Sequence, residues 1–465
     1  MRSVSVLLYL LAAPVWAQSP VVGSWTGPLE GFGLTVTFHV DETDGALTST
    51  VDVPEQGAVG MPTGATTFEG GTLTIEVPAV GAVYTGTLDG DVITGELVQG
   101  AAVPLVLRRV TGDGHAPGRA RADEPRPPFP YREEDVTVES VGGVTLAGTL
   151  TVPDGAGPFP AVVLVSGSGP QNRDEEILGH RPFRVLADHF ARRGVAVLRY
   201  DDRGVAGSTG DYAAATTADL ALDARAAVEH LAGRPEAASV GLVGHSEGGL
   251  IGPAVAGLTD ALDYVVMLAG PGVSGREVLV YQLTRDLDGA DPSAVGAYRR
   301  ALDALLAELA TGEAETATGR AVEAYRDALG GANAEAVAAL GVPPADELAR
   351  DLSGPWERHF VGYDPAPALR GLRVPALAVF GGRDQQVRAS DNVPAVVDAL
   401  ADAPRGSAVV IVPGLNHLFQ PSTTGSPAEY GAIDTSFDAG VMDLVADWIL
   451  ARAGGSRQAP ATRTP

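Results

Sequence analysis

The 465-residue chain has no cysteine. That excludes disulfides, lipid attachment at a cysteine, thiolate catalysis and Cys-ligated zinc. It has no lysine either, so all 32 basic residues are arginine. Without lysine there is no P-loop and no Schiff base. Histidines number eight, with no H-E-x-x-H and no clustering, which argues against a metal site. Basic residues are outnumbered by 58 acidic ones, for a formal net charge of −26. A surface of that sign opposes nucleic acid and anionic membranes, whose binding depends on cationic contacts. Past the first twenty residues, no apolar run reaches the roughly 18 residues of a membrane span.

What is present suits a globular protein: 45% hydrophobic and 19% charged residues over a length sufficient for two or three domains. The start, MRSVSVLLYLLAAPVWAQSP, has Arg2 as a short positive region, an apolar run from Val4 to Ala13, and small Val15 and Ala17. It reads as a secretory signal peptide, residues 1–17, cut after Ala17. The expectation is an exported protein, periplasmic or extracellular, with no membrane insertion after cleavage. Residues 22–110 alternate with a period of two, as in Leu34, Val36, Phe38, Val40 and again Leu73, Ile75, Val77. Gly, Asp and Pro punctuate these runs, so the segment is predicted to be a small antiparallel β domain, sandwich or barrel. Residues 111–133 are rich in Pro, Gly, Arg and Glu and read as a linker.

From residue 134 to 452 short apolar runs alternate with helical stretches. Strands are predicted at Pro160–Val165, Val195–Tyr200, Val240–Val243, Tyr264–Leu268, Ala376–Phe380 and Ala408–Val412, with helices at Phe183–Arg193 and Ala218–Leu231. Near-continuous apolar strands separated by helices imply an α/β fold, a mostly parallel sheet with helices on both faces. Residues 273–362 interrupt the alternation with Ala, Leu, Glu and Arg at helical spacing and read as a helical cap; residues 453–465 read as a disordered tail.

Within this frame, Gly244-His245-Ser246-Glu247-Gly248 matches G-x-S-x-G between a strand and a helix. A nucleophile on a sharp, strained turn needs small neighbours so that helix and strand can approach. The helix start would also aim its first N–H groups at a developing oxyanion. In this architecture an acid and then a histidine follow the nucleophile. Only His359 and His417 follow Ser246. His417 comes directly after the Ala408–Val412 strand, whereas His359 ends the helical insertion. Asp384 follows Ala376–Phe380 across a glycine turn and is favoured over Asp364 and Asp391, which lie farther from a strand end. The expected oxyanion donors are the backbone N–H of Glu247 and that of Ser168, with Gly167 next. His245 is not expected to be the base, and the Glu247 carboxylate is expected to complement the helix N-terminus.

Arg199-Tyr-Asp-Asp-Arg-Gly204, Gly244–Gly249, Gly381–Asp384 and Gly414-Leu-Asn-His-Leu-Phe-Gln420 resemble the α/β-hydrolase superfamily, best its secreted bacterial carboxylesterases with an N-terminal β domain. The resemblance covers most of 134–452 and, more loosely, 22–110. It implies the triad Ser246, Asp384 and His417, no cofactor, and a structural loop role for Asp202-Arg203-Gly204. The first oxyanion loop departs from the usual His-Gly start, because Ser166 stands in place of the histidine. The expected function is an exported serine hydrolase of small to medium acyl esters. Two alternatives stand beside it: a peptidase of the serine aminopeptidase type, which shares the fold, and a non-catalytic binding protein using the β domain.

Overall fold

The structure is a computed structural model that describes residues 19–29, 34–43, 46–53, 58–99, 101–110, 121–287, 289–311 and 314–453. The expected signal peptide, and the expected tail beyond Ala453, lie outside the described residues. The chain divides into two units, at Arg119 and Ala120.

Among the described residues, the first unit is an antiparallel sheet of nine strands: β1 (Gly23–Leu29), β2 (Leu34–Thr43), β3 (Ala46–Val53), β4 (Ala58–Pro62), β5 (Thr66–Glu69), β6 (Thr72–Val77), β7 (Ala82–Asp89), β8 (Val92–Gln99) and β9 (Ala101–Arg109). Their order is β4-β3-β2-β1-β9-β8-β7-β6-β5. The two end strands, β4 and β5, are joined by residues 63–65 alone, so the sheet curls back on itself. Ser49 of β3 ties that seam, its Oγ 2.7 Å from Thr66 Oγ1. The period-two residues fill the inside: Trp25, Phe38, Leu73, Ile75, Tyr84, Ile93, Leu105 and Leu107 are all buried.

The second unit carries a sheet of order β10-β11-β13-β12-β14-β15-β16-β17. The strands are β10 (Tyr131–Glu139), β11 (Thr145–Pro153), β12 (Phe159–Val165), β13 (Ala196–Tyr200), β14 (Ala237–His245), β15 (Tyr264–Leu268), β16 (Ala376–Gly381) and β17 (Ala408–Val412). All neighbours from β13 to β17 pair in parallel, while β10 and β11 form an antiparallel edge. Alternate residues of each parallel strand feed opposite layers. Ala161, Val163 and Val165 of β12 pack with α2 (Thr217–Ala232), α3 (Glu247–Ala256) and the helix Ala389–Ala399. Val162 and Leu164 pack on the other side with α1 (Pro182–Arg192) and the helix Ala439–Ala453.

Between β15 and β16 come α4 (Gly275–Gln282), α5 (Pro292–Thr311), α6 (Ala314–Leu329), α7 (Ala334–Ala338), α8 (Ala345–Asp351), α9 (Pro355–Gly362) and α10 (Ala366–Arg370); α11 (Ala389–Ala399) and α12 (Ala439–Ala453) follow β16 and β17. The insertion has a core of its own, with Tyr298, Leu302, Leu305 and Leu309 of α5 against Ala317, Ala321 and Tyr325 of α6. These positions recur at three- and four-residue steps, the stripe of an amphipathic helix.

Of the expected linker, 111–133, residues 111–120 lie outside the described residues, and those from 121 on are bonded into the second unit. Arg121 is buried, its guanidinium donating to the carbonyls of Ile433, Leu178 and Gly431. Asp123 accepts the backbone N–H of Ser436 at 2.6 Å. Polar residues of this stretch are therefore spent on backbone groups of the second unit, and β10 already begins at Tyr131.

Candidate active site

Strand β14 runs two residues beyond its predicted end, to His245, and α3 starts at Glu247, so Ser246 alone makes the turn. Its backbone has φ 52° and ψ −115°, a left-handed conformation that costs a non-glycine residue roughly 1–3 kcal/mol. The Ser246 N–H donates to Leu268 O at 2.8 Å, which anchors the turn to β15. The neighbouring glycines are required by distance. A Cβ on Gly244 would lie 1.9 Å from Gly248 O, and one on Gly248 would lie 2.1 Å from Val165 O. Strand and helix close on each other with no room for a methyl group on either side of the serine.

Asp384 and His417, 33 residues apart in sequence, are brought together: Oδ2 accepts from the histidine Nδ1 at 2.7 Å, and both side chains are buried. Asp384 Oδ1 accepts the N–H groups of Gln386 and Val387 at 2.7 and 2.8 Å. The carboxylate is thus fixed by the loop that follows β16. That bond at Nδ1 fixes the orientation of the His417 ring. The His417 loop is closed by Asn416 and Gln420, both fully buried: Asn416 Nδ2 donates to Gln420 Oε1, and Gln420 N to Asn416 Oδ1, each at 2.9 Å. The carbonyl of His417 accepts from His245 Nε2 at 3.0 Å, and the two rings lie 4.8 Å apart, which sets the His417 loop beside the serine turn.

The loop after β12 packs on the same turn, since a Cβ on Gly167 would lie 3.2 Å from Ser246 Cβ. Ser168, Ser246 and Glu247 line one cavity of about 30 Å³. Gly167 N–H is already committed, donating to Glu175 Oε1 at 2.8 Å, whereas its neighbour Ser168 lines the cavity. The same cavity is lined by Val278, Leu279 and Gln282 of α4 and by Trp356 and Phe360 of α9, all from the helical insertion.

The Glu247 side chain does more than sit in the first turn of α3. It is buried, and its Oε1 accepts from Thr217 Oγ1 at 2.6 Å and from Trp356 Nε1 at 2.8 Å. Burial raises its pKa, and these two bonds only partly offset that. Asp202 accepts from Ser166 Oγ at 3.2 Å and from Gln171 N at 3.0 Å. Arg203 pairs through two nitrogens with Asp223 at 2.6 and 2.8 Å. Asp202 therefore braces the loop after β12, and Arg203 ties its own loop to α2; neither lines the cavity.

The remaining candidates lie elsewhere. His359 is on α9 beside Tyr363, and burial lowers its pKa. Asp364 accepts the N–H of Ala366 at 2.9 Å, and Asp391 pairs with Arg388 at 2.5 Å. Three contributors escape a reading of the sequence: Glu175, Trp356 and the Asn416–Gln420 brace. The first two come from polar or helical stretches without a motif.

Residues 162–431 match the model of the alpha/beta hydrolase family. Over 327 residues the chain is 29% identical to the esterase EstD of Thermotoga maritima, covering 70% of this chain and 68% of that protein. Among solved structures, an esterase of Pyrococcus furiosus is 16% identical with a TM-score of 0.43, covering 69% of this chain and 91% of that one. Acetyl xylan esterase 1 of a Thermoanaerobacterium species is 16% identical with a TM-score of 0.41, covering 70% and 85%.

Proposed function

The chain belongs to the alpha/beta hydrolase family, and on that premise we propose that it is a serine carboxylesterase acting through an acyl-enzyme. The observation that carries the reading is the Asp384–His417 bond at 2.7 Å, on a loop tied to the strained turn of Ser246. In the first step Ser246 Oγ attacks the ester carbonyl while His417 Nε2 takes its proton. Asp384 holds the ring orientation and stabilises the imidazolium. The backbone N–H groups of Ser168 and Glu247 receive the oxyanion, in a site where each donor is worth several kcal/mol because water is excluded, roughly 2.7–4 by mutagenesis of such donors. His417 then returns the proton to the departing alcohol. A water molecule, activated by the same nitrogen, releases the acid in the mirror sequence.

The insertion acts as a cap. Its residues Val278, Leu279, Trp356 and Phe360 line the cavity, which at about 30 Å³ favours short acyl groups. With aromatics at 6% of the chain, little is available for a long acyl tunnel. Export is part of the proposal, supported by the pattern of residues 1–17; terminal sequencing of the protein recovered outside the cytoplasm would find Gln18 first. The similarity to a Thermotoga maritima protein named as an esterase supports the ester reading over the amide one. The test is kcat/KM on matched acyl esters and aminoacyl amides from two acyl carbons to about sixteen. Short and medium esters should be cleaved, amides not. Faster amide cleavage would favour the aminopeptidase alternative, and a steady rise through the long chains would indicate a lipase-like groove.

A further inference from the structure

Two buried groups beside Ser246 have no part in the reaction above. Glu175, in the stretch between β12 and α1, is 4% exposed and His245 is 5% exposed. Glu175 takes up φ +51°, the left-handed region, although it is not glycine. That cost persists only where surroundings over-determine the conformation. The reward is visible: a single oxygen, Glu175 Oε1, lies 2.8 Å from Gly167 N and 2.8 Å from His245 Nδ1. The other ring nitrogen, His245 Nε2, lies 3.0 Å from the carbonyl of His417. One carboxylate oxygen and one imidazole therefore join the oxyanion loop, the serine turn and the His417 loop.

A neutral imidazole has a single N–H. Here the two nitrogens face a carboxyl oxygen and a carbonyl, and with Glu175 ionised only the doubly protonated ring satisfies both. We propose that Glu175 and His245 form a buried ion pair that positions the catalytic loops: its imidazolium holds the His417 backbone, and its carboxylate takes Gly167 N–H so that Ser168 N–H faces the oxyanion. The charged and titratable groups around the ring are Glu175 at Nδ1, the His417 ring beside it and Asp384 bonded to that ring, with Asp202 interacting in turn with Glu175. Burial opposes the charged ring, but the Glu175 charge, its hydrogen bond, the His417 carbonyl and Asp384 outweigh it, so the pKa is raised. Neither residue touches substrate; both are positioning residues.

The inference rests on Ser246 and His417 carrying the reaction, and the test separates the two. The natural protein is first shown to hydrolyse an ester and to form one organophosphonate adduct at Ser246; failure there defeats the proposed function itself. Glu175→Gln then removes the charge at nearly constant shape. The expected result is a fall in kcat on the order of 10²-fold with KM changed less than about threefold, since loop misplacement of about 1 Å has that cost. His245→Gln should lose a similar factor, and the double variant little more, because the pair acts as a unit. Nitrogen-15 spectra of the histidines, with His245 assigned by its variant, should show both ring nitrogens protonated at neutral pH and one in Glu175→Gln. This readout needs no activity and is not moved by a merely structural role. An unlowered kcat in folded Glu175→Gln, or a neutral His245 ring in the natural protein, overturns the inference. Should Glu175→Gln fail to fold, His245→Gln and the spectrum of the natural protein decide alone.

Discussion

At the scale of single residues, two features of the serine turn have measurable consequences. Ser246 is held at φ 52°, a conformation glycine adopts freely. Ser246→Gly is expected to abolish ester hydrolysis and to raise the unfolding free energy by about 1 kcal/mol, the trade of strain for stability common at active sites. Denaturant titration of the two proteins checks it; a clear loss of stability would mean the turn is unstrained. Glu247 next to it has a pKa raised by burial. The folded protein therefore binds that proton more tightly than the unfolded chain does. Stability from this group is complete below the unfolded pKa and is lost as pH rises through the folded one. Glu247→Gln cannot titrate, so its stability relative to the natural protein should improve as pH rises above the ordinary glutamate range. A constant difference as pH rises would show that the carboxyl ionises as freely folded as unfolded.

At the scale of elements, the parts of the site differ in how plainly the sequence announces them. Ser246, Asp384 and His417 each follow an apolar strand closely, with glycine at hand, and so their loops can be placed from pattern alone. The antiparallel edge, β10 and β11, is missed because Arg132, Glu133, Glu134 and Asp135 crowd β10 with charge, as edge strands often do. Glu175 stands in Gln171-Asn-Arg-Asp-Glu-Glu176, which reads as a solvated loop. Only its three-dimensional partners reveal a buried carboxylate. Trp356 likewise looks like one more apolar residue of a helix until its Nε1 is found on Glu247. Since Trp356 and Phe360 of α9 stack at 4.8 Å against the cavity, Trp356→Ala should open it. The expected outcome is a shift of the best acyl length upward by a few carbons, each added CH₂ contributing about 0.8 kcal/mol where it finds an apolar wall. An unchanged chain-length profile would place the acyl group elsewhere.

At the scale of the whole molecule, chemistry and the N-terminal sheet are expected to be separable. No member of the proposed site precedes Ser166, and each unit has its own core. A chain beginning at Ala120 should keep kcat/KM within about threefold, a difference of less than 1 kcal/mol in transition-state stabilisation. One beginning at Tyr131 should melt lower, because it lacks the buried Arg121 and the Asp123 contact to Ser436. Composition alone, which runs the linker to residue 133, would set that cut beyond Arg121 and Asp123, a difference visible only in where their hydrogen bonds go. If the Ala120 chain folds and is inactive, the β domain helps to complete the site.

The central claim, that Ser246 is a nucleophile activated by His417, is tested most directly by peptide mapping after reaction with an organophosphonate. One adduct per chain should form, on Ser246, with loss of ester hydrolysis in step with labelling, and His417→Ala should fail to label at a comparable rate. Full activity in completely labelled protein, or a label on another residue with Ser246 untouched, would contradict it.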